Sequence, residues 1–496
     1  MKKDIKTLRD KLLTITRLGS AVALLGWDEE VNLPKKAHTY RGEVQAQLAA
    51  DLHKKMTDRS FIKLVEDLNK AEVFDALTSG DQVIVREVLR DIERAKKIPE
   101  ELVKESAELT SQAFGAWAEA RQKSTFSIFE PYLKKIVKLN QREAEYIGYT
   151  ESPYDALLDA FEPGLTARKV EDLFVPLTSE LKKLIQQAAQ QKIPTIPKAT
   201  YDRVAQKKLN EAIAAKLGYD FEAGRLDVSP HPFTIDFHPT DVRITTRYSE
   251  EDFWEALGST IHETGHALYQ QGLPLDGFGT PLSEPVSLGI HESQSRIWEN
   301  FVGKSRSFVE YLYPLLIDYF GKQTIQYSSE ELYAWLNRVQ PNLIRVESDE
   351  VTYNMHILLR FEIEKSLIEG DINAKDVPDL WNAKVKEYLG INVSNDALGA
   401  LQDIHWSHGT LGYFPTYTLG NIYSAQLYNS ISKAIPNLSE QFTKGNFKPF
   451  LAWLRKEIHR YGRTYQPEEL IKHATGELVS SKHLLAHLES KINKGE

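Results

Sequence analysis

The chain has 496 residues, a formal charge of −9 and no cysteine. That length can bury a large core, and the acidic balance argues against a nucleic-acid binder. The missing thiols exclude disulfides, thiolate–metal sites and a cysteine nucleophile, so any metal must be held by His, Glu or Asp.

The N-terminus, "MKKDIKTLRDKLLTITRLGS", interrupts its lysines with Asp4 and Asp10 and leads into no apolar stretch, so no signal peptide is expected. The run "SAVALLGW" is too short to cross a bilayer. A cytoplasmic protein with no membrane or nucleic-acid partner is the expectation, and a disulfide-free chain fits it. Gln186 to Thr200, "QQAAQQKIPTIPKAT", reads as a surface loop; no domain boundary, repeat or low-complexity tract stands out. Leu226 to Tyr248 differs from its surroundings. It is rich in β-branched and aromatic residues, and Val242, Ile244 and Thr246 alternate with Arg243, Thr245 and Arg247. This predicts a small hairpin or edge-strand system, either purely structural or able to hold an extended peptide. Elsewhere the texture is helical. Phe253, Trp254, Leu257, Ile261 and Leu268 recur at three-four spacing, as do Leu332, Trp335, Leu336 and Val339. "VTYNMHILLRFEIEKSLIEG" and "PFLAWLRKEIHRYG" follow the same pattern.

The helix through "STIHETGHALYQQG" carries His-Glu-x-x-His. Residues four apart share a helix face, so His262 and His266 can offer imidazole nitrogens to one ion. Glu263, beside the first ligand, is placed to reach a water held by the metal and act as its base. A catalytic zinc usually takes three protein ligands. "SLGIHESQSRIWEN" (Ser287 to Asn300) again has helical spacing, with Ser287 or Gly289 as its start, and offers His291, Glu292 and Glu299. Two His plus one Glu is a common hydrolytic set, which favours Glu292; spacing leaves the other two open. Gly265, with no side chain, would let another element approach closely.

These residues resemble the carboxypeptidase Taq family of metallocarboxypeptidases, over most of the chain and through motifs in order. His231, Pro232 and Phe233 match HPF; Asp241, Arg243 and Thr245 match DxRxT; His262 to His266 is the metal motif; His291 to Gln294 reads HESQ. Ile344, Arg345 and Asp349 fit IRxx(A/S)D, and Gly399, Gln402, Asp403, His405 and Trp406 match GxxQDxHW. "WDEEVNLPKKAHTYR" and "ESPYDALLDAFEPG" also look like family segments, although the first carries more charge than expected. The resemblance implies a mainly α, single-domain zinc peptidase over residues 1–496, with a deep cleft and a small β-sheet beside the active site. Residues 1–100 are read as a helical, lid-like region and 225–425 as the metal and substrate core. It further implies a homodimer, peptide substrates trimmed from the C-terminus with broad specificity, and Glu292 as third ligand. One Zn2+ per chain is expected, replaceable by Co2+ or another divalent ion.

An exopeptidase must hold the free carboxylate, for which a guanidinium is well shaped. Arg345 is the first candidate and Arg243 the second; the structural alternative for Arg345 is a salt bridge to Glu347 or Asp349. Donors to the oxyanion or substrate backbone are sought among His231, His405, Tyr413 and Tyr417, the two tyrosines being placed around a turn. Asp403 is read as orienting a ligand or anchoring a helix. The remaining motif residues, Pro232, Phe233, Asp241, Thr245, His291, Gln294, Asp349, Gln402 and Trp406, are read as bracing the site. The competing readings are an oligoendopeptidase or dipeptidase on a similar scaffold, and a binding protein that has lost catalysis.

Overall fold

A computed structural model of the chain describes residues 1–190, 192 and 194–493, and it is built almost wholly of helices. The first hundred residues form helices α1 (Lys2–Val31), α2 (His38–Met56), α3 (Arg59–Leu68) and α4 (Ser79–Lys97). They enclose a small core of their own, in which Leu8 of α1 meets Phe61 and Val65 of α3 and Ile84 and Val88 of α4. The main core is separate and fills the rest of the molecule. Of the expected loop at Gln186–Thr200, a helix covers the start as far as Ala188. Gln191 and Ile193 lie outside the described residues, and the described part beyond them has no regular structure.

The β region is a three-stranded sheet rather than a lone hairpin. Strands β1 (Gly224–Val228), β2 (Thr234–His238) and β3 (Asp241–Thr246) lie in the order β1–β3–β2. β2 and β3 are antiparallel, with an irregularity between Asp236 and His238, whereas β1 joins the far side of β3 in parallel. Val242, Ile244 and Thr246 are buried as the alternation predicts, but Thr245 is buried too, so the alternation breaks at the end of β3. α1 lies along β2, where Ser20 Oγ donates to the Phe237 carbonyl at 2.7 Å.

The helix after the sheet, α5 (Phe253–Gln270), starts at Asp252, whose carboxylate accepts from the Trp254 N–H at 2.8 Å. Phe253, Leu257, Ile261 and Leu268 are its buried face, and Trp254 is only partly covered. α6 (Leu288–Arg296) is capped by Ser287 Oγ, which accepts from the Ile290 N–H at 3.0 Å. It runs on into a π-helical segment, Ile297–Gly303. Two longer helices complete the surroundings of the site, α7 (Glu350–Glu369) and α8 (Pro415–Ala434). The helix predicted through Val339 stops at Leu336, and Asn337 to Ile344 is a loop. Pro341 cannot supply a helical N–H and pushes the residue before it away from helical geometry. Among the described residues, no helix is long and apolar enough to cross a membrane.

Candidate active site

α5 and α6 meet so closely because neither places a side chain between them at Gly265. A Cβ there would lie 2.4 Å from the Gln294 carbonyl oxygen and 2.7 Å from Ser295 Cα. α8 closes on the other side of α6 in the same way: a Cβ on Gly420 would lie 2.5 Å from Glu292 Cγ. The result is a cluster in which one ligand atom each from His262, His266 and Glu292 lies within 4.8 Å of the others. Glu292 Oε2 is 3.4 Å from His266 Nε2 and 3.8 Å from His262 Nε2. Ligands about 2.1 Å from a tetrahedral ion stand about 3.4 Å apart, so the donor set and its spacing fit a divalent metal.

Each ligand is held from behind. His262 Nδ1 lies 2.9 Å from Glu299 Oε2, which leaves Nε2 to face the cluster. His266 Nδ1 lies 2.5 Å from His291 Nδ1, and His291 Nε2 is 3.0 Å from the Gln270 amide. For His266 Nε2 to offer its lone pair, Nδ1 must carry the proton and donate to His291. His291 then donates from Nε2, and a half-turn of the Gln270 amide presents the accepting oxygen. Arg296, one turn after Glu292, donates from Nε to Glu292 Oε1 at 2.7 Å and from a terminal nitrogen to Glu299 Oε2 at 3.1 Å. Burial opposes charge on Glu292, but Arg296 and the two histidines outweigh it and hold its pKa well below the usual carboxylate range. Burial likewise opposes charge on Glu299, and Lys304 and Arg296 overcome it.

Glu263 is buried on the cleft side of α5. The Thr234 hydroxyl, at the start of β2, donates to Glu263 Oε2 at 2.6 Å and lies 3.0 Å from its backbone carbonyl. Thr234 thus ties the sheet to this helix turn and leaves Oε1 free. The cleft has a volume of about 1560 Å³ and is walled by the face of α5 that carries His262 and Glu263, the 338–350 segment and the start of α8.

Residues 7–492 match the family described as carboxypeptidase Taq (M32) metallopeptidase. The chain is 44% identical over 494 residues to thermostable carboxypeptidase 1 of Pyrococcus furiosus, covering 99% of this chain and 98% of that one. It is 40% identical over 492 residues to carboxypeptidase 1 of Bacillus subtilis, covering 98% of each. A solved structure of Pyrococcus furiosus carboxypeptidase superposes with a TM-score of 0.96 at 44% identity, covering 99% of both chains. The chain belongs to the carboxypeptidase Taq (M32) metallopeptidase family. It is a metallocarboxypeptidase, a peptide hydrolase that works with a divalent metal.

On the substrate side of this metallocarboxypeptidase, Arg345 is buried but lines the cleft. Its partner is Asp403, not Glu347 or Asp349: Nε and one terminal nitrogen donate to Asp403 Oδ1 at 3.0 and 2.9 Å. Its other terminal nitrogen donates to the Tyr353 hydroxyl at 3.0 Å. Three of its five N–H groups are thus engaged, and one on each terminal nitrogen remains. The second oxygen of Asp403 accepts from Arg360, so two guanidinium groups share one carboxylate and the trio keeps a net positive charge. Gln402 fixes the same loop by accepting from the Arg345 N–H and donating to the Leu343 carbonyl, at 2.9 and 3.0 Å. Asp349 caps α7 and also accepts from the Gln340 N–H at 3.0 Å.

Arg243 lies elsewhere. It pairs with Asp241 at 2.9 Å and stacks on Trp27 of α1, 4.4 Å from the ring centre, outside the cleft wall. His231 and Pro232 do line the cleft; Thr245 holds their loop by donating to the Phe233 carbonyl and accepting from the Phe233 N–H. Tyr417 lines it as well, in the first turn of α8 rather than in a turn before it. His405 Nε2 is 3.1 Å from the Tyr417 hydroxyl, and Tyr413 packs on both rings. Burial, with Arg345 and Arg360 nearby, pushes His405 down to about 4 against the pull of Asp403. Trp406 points away from the cleft and donates to the buried Glu364 at 2.7 Å. Gln294 Oε1 accepts from His459 Nε2 at 3.0 Å behind α6. Thr234, Arg296, Tyr353 and Arg360 were not singled out from the sequence. Only Arg296 carried a local signal, its four-residue spacing from Glu292.

Proposed function

We propose that the divalent ion is zinc, held by His262, His266 and Glu292, and that Glu263 is the general base for release of C-terminal residues from peptides. The observation that carries this reading is the Glu263 carboxylate itself: buried in the cleft wall beside His262, bonded through one oxygen to Thr234 and, among the described residues, without an ion-pair partner. An ion bound at this site supplies Lewis acidity to the scissile carbonyl and lowers the pKa of a water to about 7. Glu263 Oε1 takes the proton of the attacking water and delivers it to the leaving amine nitrogen. Arg345 receives the substrate carboxylate on its two remaining N–H groups, in the fork geometry that suits a planar anion. Neutral His405 donates from Nε2 to the Tyr417 oxygen, which turns the Tyr417 proton towards the cleft as a donor to the oxyanion.

Glu263→Gln is expected to keep its metal and to lose at least about a thousandfold in kcat. Arg345→Ala is expected to raise KM for free-acid peptides at least tenfold with metal content unchanged, and C-terminal amidation should abolish cleavage by the wild type. Internal cuts in amidated peptides, seen by mass spectrometry, would instead establish an endopeptidase. The homodimer and the cytoplasmic location belong to the same proposal; α2, none of whose side chains is fully buried, supports an uncovered face for the dimer, and sedimentation reports the assembly.

A further inference from the structure

The cleft is larger than one departing residue needs, and its cations are almost all neutralised. Arg247 pairs with Glu255, Arg296 with Glu292 and Glu299, Lys304 with Glu299, and Arg345 with Asp403. Among the arginines and lysines of the cleft wall in the described residues, Arg338 alone has no carboxylate within ion-pair distance. It is partly buried, its guanidinium lies over the Trp335 ring at 4.5 Å from the centre, and one terminal nitrogen donates to the Trp335 carbonyl at 2.7 Å. Those contacts fix the plane of the group and leave most of its N–H donors towards the cleft. The carboxylates whose charge reaches it, Asp252 and Asp349, serve as the N-caps of α5 and α7 and are occupied by backbone N–H groups.

We infer that Arg338 is a specificity-determining residue that binds a carboxylate of the peptide substrate, supplied by an acidic side chain upstream of the cleaved bond. The inference rests on the assignment of Arg345 to the substrate's terminal carboxylate. Position supports the upstream source. Asp252 stands ten residues before His262, about 15 Å along a helix axis. An extended peptide advances about 3.3 Å per residue, which puts Arg338 within on the order of four residues of the scissile bond. A carboxylate bound there meets a preorganised, partly desolvated guanidinium, the setting in which charge-assisted hydrogen bonds discriminate.

The test is kinetic. Hexapeptides with one C-terminal residue in common carry Glu, Gln or Lys at each upstream position in turn, and kcat/KM is measured for the metal-loaded wild type, Arg338→Gln, Arg338→Glu and Arg345→Ala. The wild type is expected to favour Glu over Gln about five- to tenfold at one upstream position. Arg338→Gln should bring that ratio to about one, and Arg338→Glu should turn the preference to Lys. In Arg345→Ala the ratio should persist while all peptides lose equally, which separates the two arginines. If no position discriminates in the wild type, or the preference survives in Arg338→Gln, the inference is wrong. If Arg338→Gln instead weakens every peptide equally, dipeptides included, Arg338 holds the terminal carboxylate, and both this inference and the role given to Arg345 fall.

Discussion

Two glycines decide whether His262, His266 and Glu292, the proposed metal ligands, can converge. Gly265 lets α6 reach α5, and Gly420 lets α8 close over Glu292. Gly420→Ala forces a methyl group into the space of the Glu292 side chain, which is already fixed by Arg296, so the carboxylate must move. Overpacking of this kind costs about 1–3 kcal/mol. The variant is expected to lose that much stability and to release its metal at least tenfold more readily, read by metal content after dialysis and by thermal melting. Normal metal retention would show that α8 yields instead. At this scale the pair His262 and His266 was legible because helical spacing alone brings residues four apart onto one face. Gly265 was legible for a different reason: it lacks a side chain between Glu263 and His266, on a helix whose motif calls for a close neighbour. Gly420 was not: a glycine far along the chain announces nothing until the side chain it accommodates is known.

Among the elements, the helix that delivers Glu292 depends on a segment more than a hundred residues upstream. Glu162, fully buried, accepts from the Gly289 N–H at 2.9 Å and from the Tyr423 hydroxyl at 3.0 Å, and so joins the start of α6 to α8. Burial raises its pKa from 4.5 to about 7. The native state therefore binds this proton more tightly than the unfolded chain. The stabilisation is complete below about pH 4.5 and is lost as pH rises through 7. About 2.5 pH units at about 1.4 kcal/mol each is about 3–4 kcal/mol. Glu162→Gln cannot ionise, so its stability relative to the wild type should rise by about that amount between pH 5 and pH 8.5 in urea titrations. A difference that does not vary with pH would remove the account. The segment "ESPYDALLDAFEPG" stood out only by its family resemblance, because nothing local to Glu162 says what it will meet. The π-helical turn at Ile297–Gly303 was equally hidden. The three-four spacing that reveals an α-helix is silent about the extra residue that widens a turn and aims Glu299 at His262. The sheet was half legible: alternation marks strands, but β1 pairs in parallel with β3 although β2 lies between them in the chain, and parallel pairing leaves no turn signature.

For the whole molecule, an ion held by His262, His266 and Glu292 as proposed would be a structural partner as well as a reagent, since those residues come from two helices that a third helix clamps. Anything that binds only the native state stabilises it in proportion to the logarithm of its free concentration, about 2.7 kcal/mol at a hundredfold excess over Kd. Chelation is expected to lower the Tm by a few degrees, and zinc titration should restore it along that logarithmic course. A Tm blind to metal would mean that the hydrogen bonds behind the cluster, from Glu299, His291 and Arg296, keep it assembled without an ion. The mainly helical class was readable from spacing throughout the chain. The separate small core of α1, α3 and α4 was not, since its apolar residues follow the same helical spacing as the rest and no change of composition marks where one core ends.

Asp403 has a consequence for how the enzyme counts. By gripping Arg345 along one edge and Arg360 with its other oxygen, it fixes the guanidinium during folding, before any substrate arrives. A free arginine would follow a carboxylate over several ångströms; this one cannot. With Arg345 in its proposed role as holder of the substrate carboxylate, the interval between it and the His262–His266–Glu292 cluster would work as a ruler of constant length: a chain end seated at the arginine would present one particular peptide bond for cleavage, and a stub one residue longer or shorter would not fit the scale.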